Sequence, residues 1–406
     1  MQIMQVVYAN EDVPLTIKRS LFLAGPTARS HGVRSWRPEA LSLLCKLGFD
    51  GTVFVPERNK EKKKVKKDEF HYQSQVEWEE KCLNIADCIV FWVPRSDALP
   101  GLTTNIEWGT WCRSGKVVLG CPKGAERVRY MQYYAGKYRI PMAVTLSDTL
   151  TLAINAVGAG AERQAGERYV PLLIWNLPSF QSWLKALVNA GNRLDHATLL
   201  YNYRSRNDVF LWILKVSIYV MSEKRLKSGE FVVSRPDTVS TVMWHPQCNW
   251  LDSEVVLVRE FRSPVRTSDG FIHELPGGSS PSLSDPLDVA REEVHEETGF
   301  KLEPSRMISH GQRQVMGTLS SHTCSLYSVR LTEEEVEWFR SRAGIAHGNV
   351  EESERTYVEV HTLRSLLDKP LIDWSTMGQI MSVIRPDSLI RPDSFIRPDS
   401  LTSEST

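Results

Sequence analysis

Residues 19–122 hold four apolar runs with no polar alternation: Leu21–Ala24, Thr52–Val55, Cys88–Val93 and Val117–Gly120. A strand with one wet face alternates apolar and polar residues, whereas a strand buried on both faces has no reason to. Helix-length segments around Pro38–Leu47, Gln75–Ile85 and Asn105–Ser114 separate the runs. The spacing therefore predicts an α/β fold, a parallel Rossmann-like sheet covered on both faces. Ligands of such sheets bind beyond the carboxyl ends of the strands. The turns expected there are Gly25-Pro-Thr27, Pro56-Glu-Arg58 and Pro94-Arg-Ser-Asp97, with Thr103–Glu107 opening a helix nearby. At a helix start Glu107 would gain from the helix dipole, and Asp87 would cap a strand end.

These segments also resemble nucleoside 2-deoxyribosyltransferase-like proteins. The matching pieces are Phe22-Leu-Ala-Gly-Pro26, Trp78-Glu79, Ala86-Asp87 with the strand after it, and Glu107-Trp-Gly109 followed by Gly115-Lys116. The resemblance implies that Glu107 is the nucleophile that attacks an anomeric carbon. A carboxylate suits that task because it stabilises an oxocarbenium-like transition state and can form a glycosyl ester. It further implies an acid for the leaving base, with Asp97 and Asp87 as candidates, and a substrate cleft that includes Gly25, Trp78 and Glu79. The family's usual Asp-x-Gly-Thr approach is replaced here by Pro100–Asn105, so the choice of substrate, and of transfer or hydrolysis, stays open.

The second half carries different chemistry. Gly277-Gly278 precedes Ala290–Gly299, a segment in which Glu293, Glu296 and Glu297 fall at i, i+3 and i+4 of a helix. Like charges at that spacing repel unless a hard cation neutralises them, and Mg²⁺ held by carboxylates usually also holds substrate phosphates. The plain alternative is a solvated acidic face. The run resembles the Nudix box, matching at Gly278, Glu293, Val294, Glu296, Glu297, Gly299 and Phe300, and departing at Ser284 and Glu292. That resemblance implies an α/β/α sandwich and Mg²⁺-dependent hydrolysis of a nucleoside diphosphate linked to a second group, with Mn²⁺ as a substitute ion. Glu293, Glu296 and Glu297 would bind the metal, with Glu293 in the catalytic machinery and Gly278 beside the substrate. Val255–Pro264 and His273–Gly277 look like the ADP-ribose or sugar-nucleotide branch, in which Arg259 and Arg262 would meet the diphosphate. In that branch a loop glutamate outside the box helps activate water, a place that Glu352 and Glu354 fit.

The remaining features bound the organisation. At 406 residues two domains are expected, and the zero formal net charge argues against general polyanion binding. Seven scattered cysteines with no CxxC pair fit a reducing cytoplasm. The first residues lack the pattern of a signal peptide, and no apolar run is long enough to span a bilayer. The Gly/Ala-rich stretch 156–166 reads as a linker, dividing the chain into a domain at 1–160, a linker and connecting helix at 161–206, a second domain at 207–383 and a disordered Ile-Arg-Pro-Asp-Ser repeat tail at 384–406. Leu172–Trp175 reads as a short strand. The amphipathic helix from Pro178 is expected to couple domains or subunits, so a homodimer or higher oligomer is anticipated. The lysine-rich segment Asn59–Asp68 has no aromatic residue to stack on bases, so small nucleotides rather than nucleic acid are the expected partners. Two other classes remain open: a nucleotide sensor with degenerate sites, and a nucleic-acid-associated protein acting through those lysines.

Overall fold

The computed structural model describes residues 4–28, 33–59, 70–205, 208–279, 285–348 and 354–386. The chain divides into two compact units, Met1–Arg235 and Pro236–Thr406. Among the described residues no helix is long and apolar enough to cross a membrane.

In the first unit the chain runs β1 (Gln5–Tyr8), β2 (Thr16–Ile17), β3 (Ser20–Ala24), α1 (Arg37–Lys46), β4 (Thr52–Val55), α2 (Phe70–Ile85), β5 (Cys88–Trp92), α3 (Leu102–Trp111), β6 (Val117–Gly120), α4 (Arg129–Lys137), β7 (Met142–Ala143), α5 (Leu146–Val157) and β8 (Arg163–Gln164). Six of the strands form one sheet in the order β1-β4-β3-β5-β6-β7, with every pairing parallel. The expected parallel sheet is present. Successive residues of β3 serve opposite cores: Leu21 and Leu23 pack with Ala40, Leu44 and Leu150 of α1 and α5, while Phe22 and Ala24 pack with Cys82, Trp108 and Met131 of α2, α3 and α4. Two-sided burial explains why the strands carry no polar alternation. The chain leaves β3 toward β4 on one side and returns to β5 on the other. The crevice beyond β3 and β5 is thus the switch point of the sheet.

The unit does not stop at the Gly/Ala-rich stretch. That stretch ends α5, and the chain continues as β8, which pairs with β2, and a 3-10 turn at Ala165–Tyr169. Leu172–Trp175, expected as a strand, is a helical turn (α6); a four-residue apolar run has no periodicity to separate the two. After α7 (Pro178–Asn189) come β9 (Arg193–Ser205), β10 (Asp208–Val220) and β11 (Arg225–Ser234), an antiparallel sheet in the order β11-β10-β9. Phe180 and Leu184 of α7 pack on Leu194, Trp212 and Leu214 of that sheet. Asn202 of β9 donates to the Ser114 carbonyl at 2.9 Å. The expected division at 160 and 207 therefore falls inside a continuous unit. Leu211–Val220 and Phe231–Ser234, assigned from sequence to the second domain, belong to the first.

The second unit contains β12 (Thr238–His245), β13 (Glu254–Phe261), β14 (Phe271–Glu274), α8 (Pro286–Thr298), β15 (Ile308–Gln314), β16 (Thr323–Arg330), α9 (Glu333–Arg340), β17 (Ala346–His347), β18 (Thr356–Thr362), α10 (Leu363–Asp368) and α11 (Trp374–Val383). Its mixed sheet has the order β15-β16-β12-β13-β18-β17, with β14 also on β13. Helices cover both faces. Val294 of α8 and Phe339 of α9 pack on Val256 and Val358, whereas Leu363, Leu366 and Ile380 of α10 and α11 pack on Val255 and Leu257. Ile384, the first residue of the expected tail, is fully buried in the latter core, and residues 387–406 lie outside the described part.

Candidate active sites

The first unit gathers a cleft around Arg37. This side chain is 1% exposed, yet its guanidinium donates to the carbonyls of Leu23 (3.0 Å) and Gly25 (2.9 Å), to Thr27 Oγ1 (3.2 Å) and to Glu57 Oε1 (2.7 Å). It thereby fixes the Gly25-Pro-Thr27 turn beyond β3 against Glu57 beyond β4. Gly25 is needed there: its φ is +146°, and a Cβ would overlap the Trp92 carbonyl oxygen at the end of β5. Ser35 Oγ donates to the same Glu57 oxygen at 2.7 Å.

Glu107 faces this cleft from α3. The helix begins at Leu102 behind a left-handed Gly101, one residue before the start expected at Thr103. Glu107 therefore sits in the second turn, where the helix dipole has little hold on it. Its carboxyl is half-buried, and burial, reinforced by the charge of Glu79 and opposed by Arg37, raises its pKa from 4.5 to about 7. Glu79 and Glu107 in turn both act on Arg37, so the three share one electrostatic neighbourhood. Glu79 also accepts from Gln75 Nε2 at 2.8 Å.

Of the other sequence candidates, only Gly25 joins this group. Trp78 lies in the core, edge-on to Phe54 with ring centroids 6.4 Å apart, and its Nε1 donates to the Glu11 carbonyl at 2.8 Å. Asp97 is exposed and stands 3.7 Å from Arg127. It lines a separate cavity of about 770 Å³ with Arg95, Trp108 and Tyr134, and Glu107 is not among the lining residues. Asp87 is not placed for acid catalysis. It precedes β5, so it sits at the amino edge of the sheet, and both its oxygens are committed: Oδ2 accepts from Arg163 Nη2 (2.7 Å), Ser20 N (2.8 Å) and Ser20 Oγ (2.9 Å), Oδ1 from Arg163 Nη1 (2.8 Å) and Leu172 N (2.9 Å). Neither side chain of the Asp87–Arg163 pair has any exposure. Lys116, from the Gly-Lys pair, is also structural: its Nζ donates to the carbonyls of Leu83, Asn84 and Ala86 at the end of α2. Sequence reasoning missed Arg37 and Glu57, although Glu57 stood in one of the turns it singled out.

The second unit builds a carboxylate cluster against the two glycines. Asp285 caps α8 by accepting from Leu287 N at 3.0 Å, Pro286 begins the helix, and Gly299 ends it with φ +73°. On this helix Glu297 is 6% exposed and accepts from Gly277 N at 2.9 Å, while a Cβ on Gly278 would overlap the Glu293 carboxylate. Burial raises the Glu297 pKa well above 4.5, the Gly277 N–H opposes this, and Glu293, Glu260 and Glu354 push it further up. Glu260, 7% exposed on β13, is raised by burial, with Arg262 opposing and Glu274 and Glu354 adding. Arg262 Nη2 lies 2.8 Å from Glu274 Oε2 and 2.9 Å from Glu260 Oε2. Several carboxylates around a buried one, with one guanidinium among them, are a donor set that fits a hard divalent cation.

The structure places the three carboxylates of the expected trio differently. Glu293 and Glu297 turn inward with Glu354, whereas Glu296 is exposed. Arg259 is engaged elsewhere, 2.7 Å from Asp269 and over the Phe271 ring at 4.2 Å. Arg291 pairs with Asp288 at 3.4 Å and Glu292 is exposed, so neither occupies the cluster. Ser284, Glu352 and the lysines at 60–67 lie outside the described residues. Sequence reasoning missed Glu260, though the alternation of β13 puts it on the same face as Val256 and Val258, toward α8.

Residues 18–125, from the strand before the Gly25 turn to the loop beyond β6, match the family described as nucleoside 2-deoxyribosyltransferase like. The first unit thus contains a domain similar to that family, and this points to glycosyl transfer in nucleotide metabolism. No curated protein matches the chain. The Nudix-like resemblance of the second unit rests on its own residues.

Proposed function

We propose that the first unit breaks the N-glycosidic bond of a nucleoside or nucleotide, with the Glu107 carboxylate as nucleophile. The observation that carries this reading is the Glu107 carboxyl, half-buried beside Arg37 and Glu79 at the carboxyl edge of the sheet. A Glu107 oxygen bonds to the anomeric carbon as the C–N bond breaks, and the bonding pair leaves with the base. The departing base takes its proton from water, because Glu79 acts on Glu107 as a charged carboxylate and Glu57 is tied to Arg37 and Ser35. Water or a second base then attacks the same carbon and frees Glu107. The test is chromatography for free nucleobase after the full chain meets nucleosides and their 5′-monophosphates. Wild type should release base, and Glu107→Ala should not. Tight binding without release by the wild type would make the site a sensor.

A second activity in the other unit rests on the buried Glu297. We infer that Glu293, Glu297, Glu260 and Glu354 hold Mg²⁺, or Mn²⁺ in its place, and that Arg262, paired with Glu260 and Glu274, orients the Glu260 carboxylate. The ion, when bound, supplies polarisation of a phosphate oxygen and a more acidic water. The substrate class is a nucleoside diphosphate linked to a second group. Mg²⁺-dependent release of a nucleoside monophosphate from ADP-ribose or a sugar nucleotide would support this reading. Its absence across such a panel would defeat it.

A further inference from the structure

His273, Glu359 and His361 form a group whose ligand atoms all lie within 4.8 Å of one another. Nε2 of His273 and Nε2 of His361 each stand 3.0 Å from the same oxygen, Oε2 of Glu359. The two imidazoles meet edge to face with centroids 4.8 Å apart. His273 is 7% exposed, and its backbone N–H is fixed on the Leu371 carbonyl at 3.0 Å.

This group is distinct from the carboxylate cluster, because the sheet separates them. On β18, Val358 packs toward α8, so its neighbours in the alternation, Glu359 and His361, face the other way. On β14, Glu274 binds Arg262 of the carboxylate cluster, and the adjacent His273 points to the opposite face. That face is the one covered by α10 and α11. β14 and β18 lie on opposite edges of β13 and do not pair with each other, so the three side chains reach across the middle strand.

We propose that His273, Glu359 and His361 bind one divalent transition-metal ion of the zinc class. Two imidazole nitrogens and one carboxylate oxygen are a borderline donor set, which favours such ions over Mg²⁺. Bond lengths of about 2.0–2.2 Å require only side-chain adjustment from the observed separations. Three protein ligands leave a coordination position to water. The bound ion replaces a hydrogen-bonded His–Glu–His network and clips β14 to β18.

The test uses the full chain, stripped with a chelator and titrated with Co²⁺ as a spectroscopic probe, then with Zn²⁺ as competitor. Visible d–d bands saturating at one ion per chain, displaced by Zn²⁺, are expected. Glu359→Gln keeps the side-chain size and should abolish the bands, as should His361→Ala, with circular dichroism unchanged. Glu297→Gln should retain them. A wild-type chain that gives no bands overturns the proposal. So do bands that survive both Glu359→Gln and His361→Ala, or bands lost only in Glu297→Gln, which would place the ion among the carboxylates.

Discussion

Glu107 and Glu297 are both carboxyl groups held where ionisation is disfavoured, and each converts that strain into a measurable signature. Attack on an anomeric carbon needs the ionised Glu107, so kcat/KM for base release should rise with pH and level off above about 7. A flat profile between pH 5 and 8 would count against the assignment. The same shift acts on stability. A carboxyl whose folded pKa exceeds its unfolded value contributes fully below about 4.5, and that contribution is lost as pH rises through about 7. Glu107→Gln should therefore melt higher than wild type at pH 8 and nearly with it at pH 4, read by differential scanning calorimetry. For Glu297→Gln the expected loss in Mg²⁺-dependent turnover is about 100-fold or more. Its amide oxygen can still accept from Gly277 N, so the fold should persist. Wild-type turnover in that variant would remove Glu297 from the metal site.

At the level of elements, what was legible in the sequence depended on range. Unalternated apolar runs gave the sheet, and glycine with carboxylate spacing gave α8, because both signals lie within one segment. The role of Asp87 was half legible: preceding its strand, it had to sit at the amino edge, away from a ligand. Its partner Arg163 is far along the chain, inside a stretch whose glycines and alanines suggest a linker. No local pattern announces that pairing. Glu260 was readable from the period of β13, but its charge drew less notice than the arginines on either side of it. The buried pair carries its own prediction. Asp87→Asn leaves the Arg163 charge without its counter-ion and should cost about 3–5 kcal/mol of stability in urea denaturation. Base release at low temperature should persist, since Asp87 lies at the opposite edge of the sheet from Glu107. Loss of base release in a variant that is still folded would return Asp87 to the list of catalytic candidates.

For the whole molecule, the division of the chain decides how its parts can be separated. Cutting after residue 160 removes Arg163, Leu172 and the α7–β9–β10–β11 layer from a unit that packs them. Asp87 then loses three of its five hydrogen bonds, the two from Arg163 and the one from the Leu172 N–H. A buried carboxylate stripped of its partner costs about 3–5 kcal/mol, a large share of the 5–15 kcal/mol by which a domain is stable. Cutting between Arg235 and Pro236 instead follows the boundary between the two compact units. Residues 1–235 should fold cooperatively and release base, and residues 236–406 should keep the Mg²⁺-dependent reaction. Residues 1–160 should melt well below residues 1–235 or aggregate. Thermal melts of the three fragments by circular dichroism, with both activity assays run on each, check this directly. If residues 1–160 melt with residues 1–235 and release base equally well, Arg163 and the layer that follows it are dispensable, and the boundary belongs at the Gly/Ala-rich stretch after all.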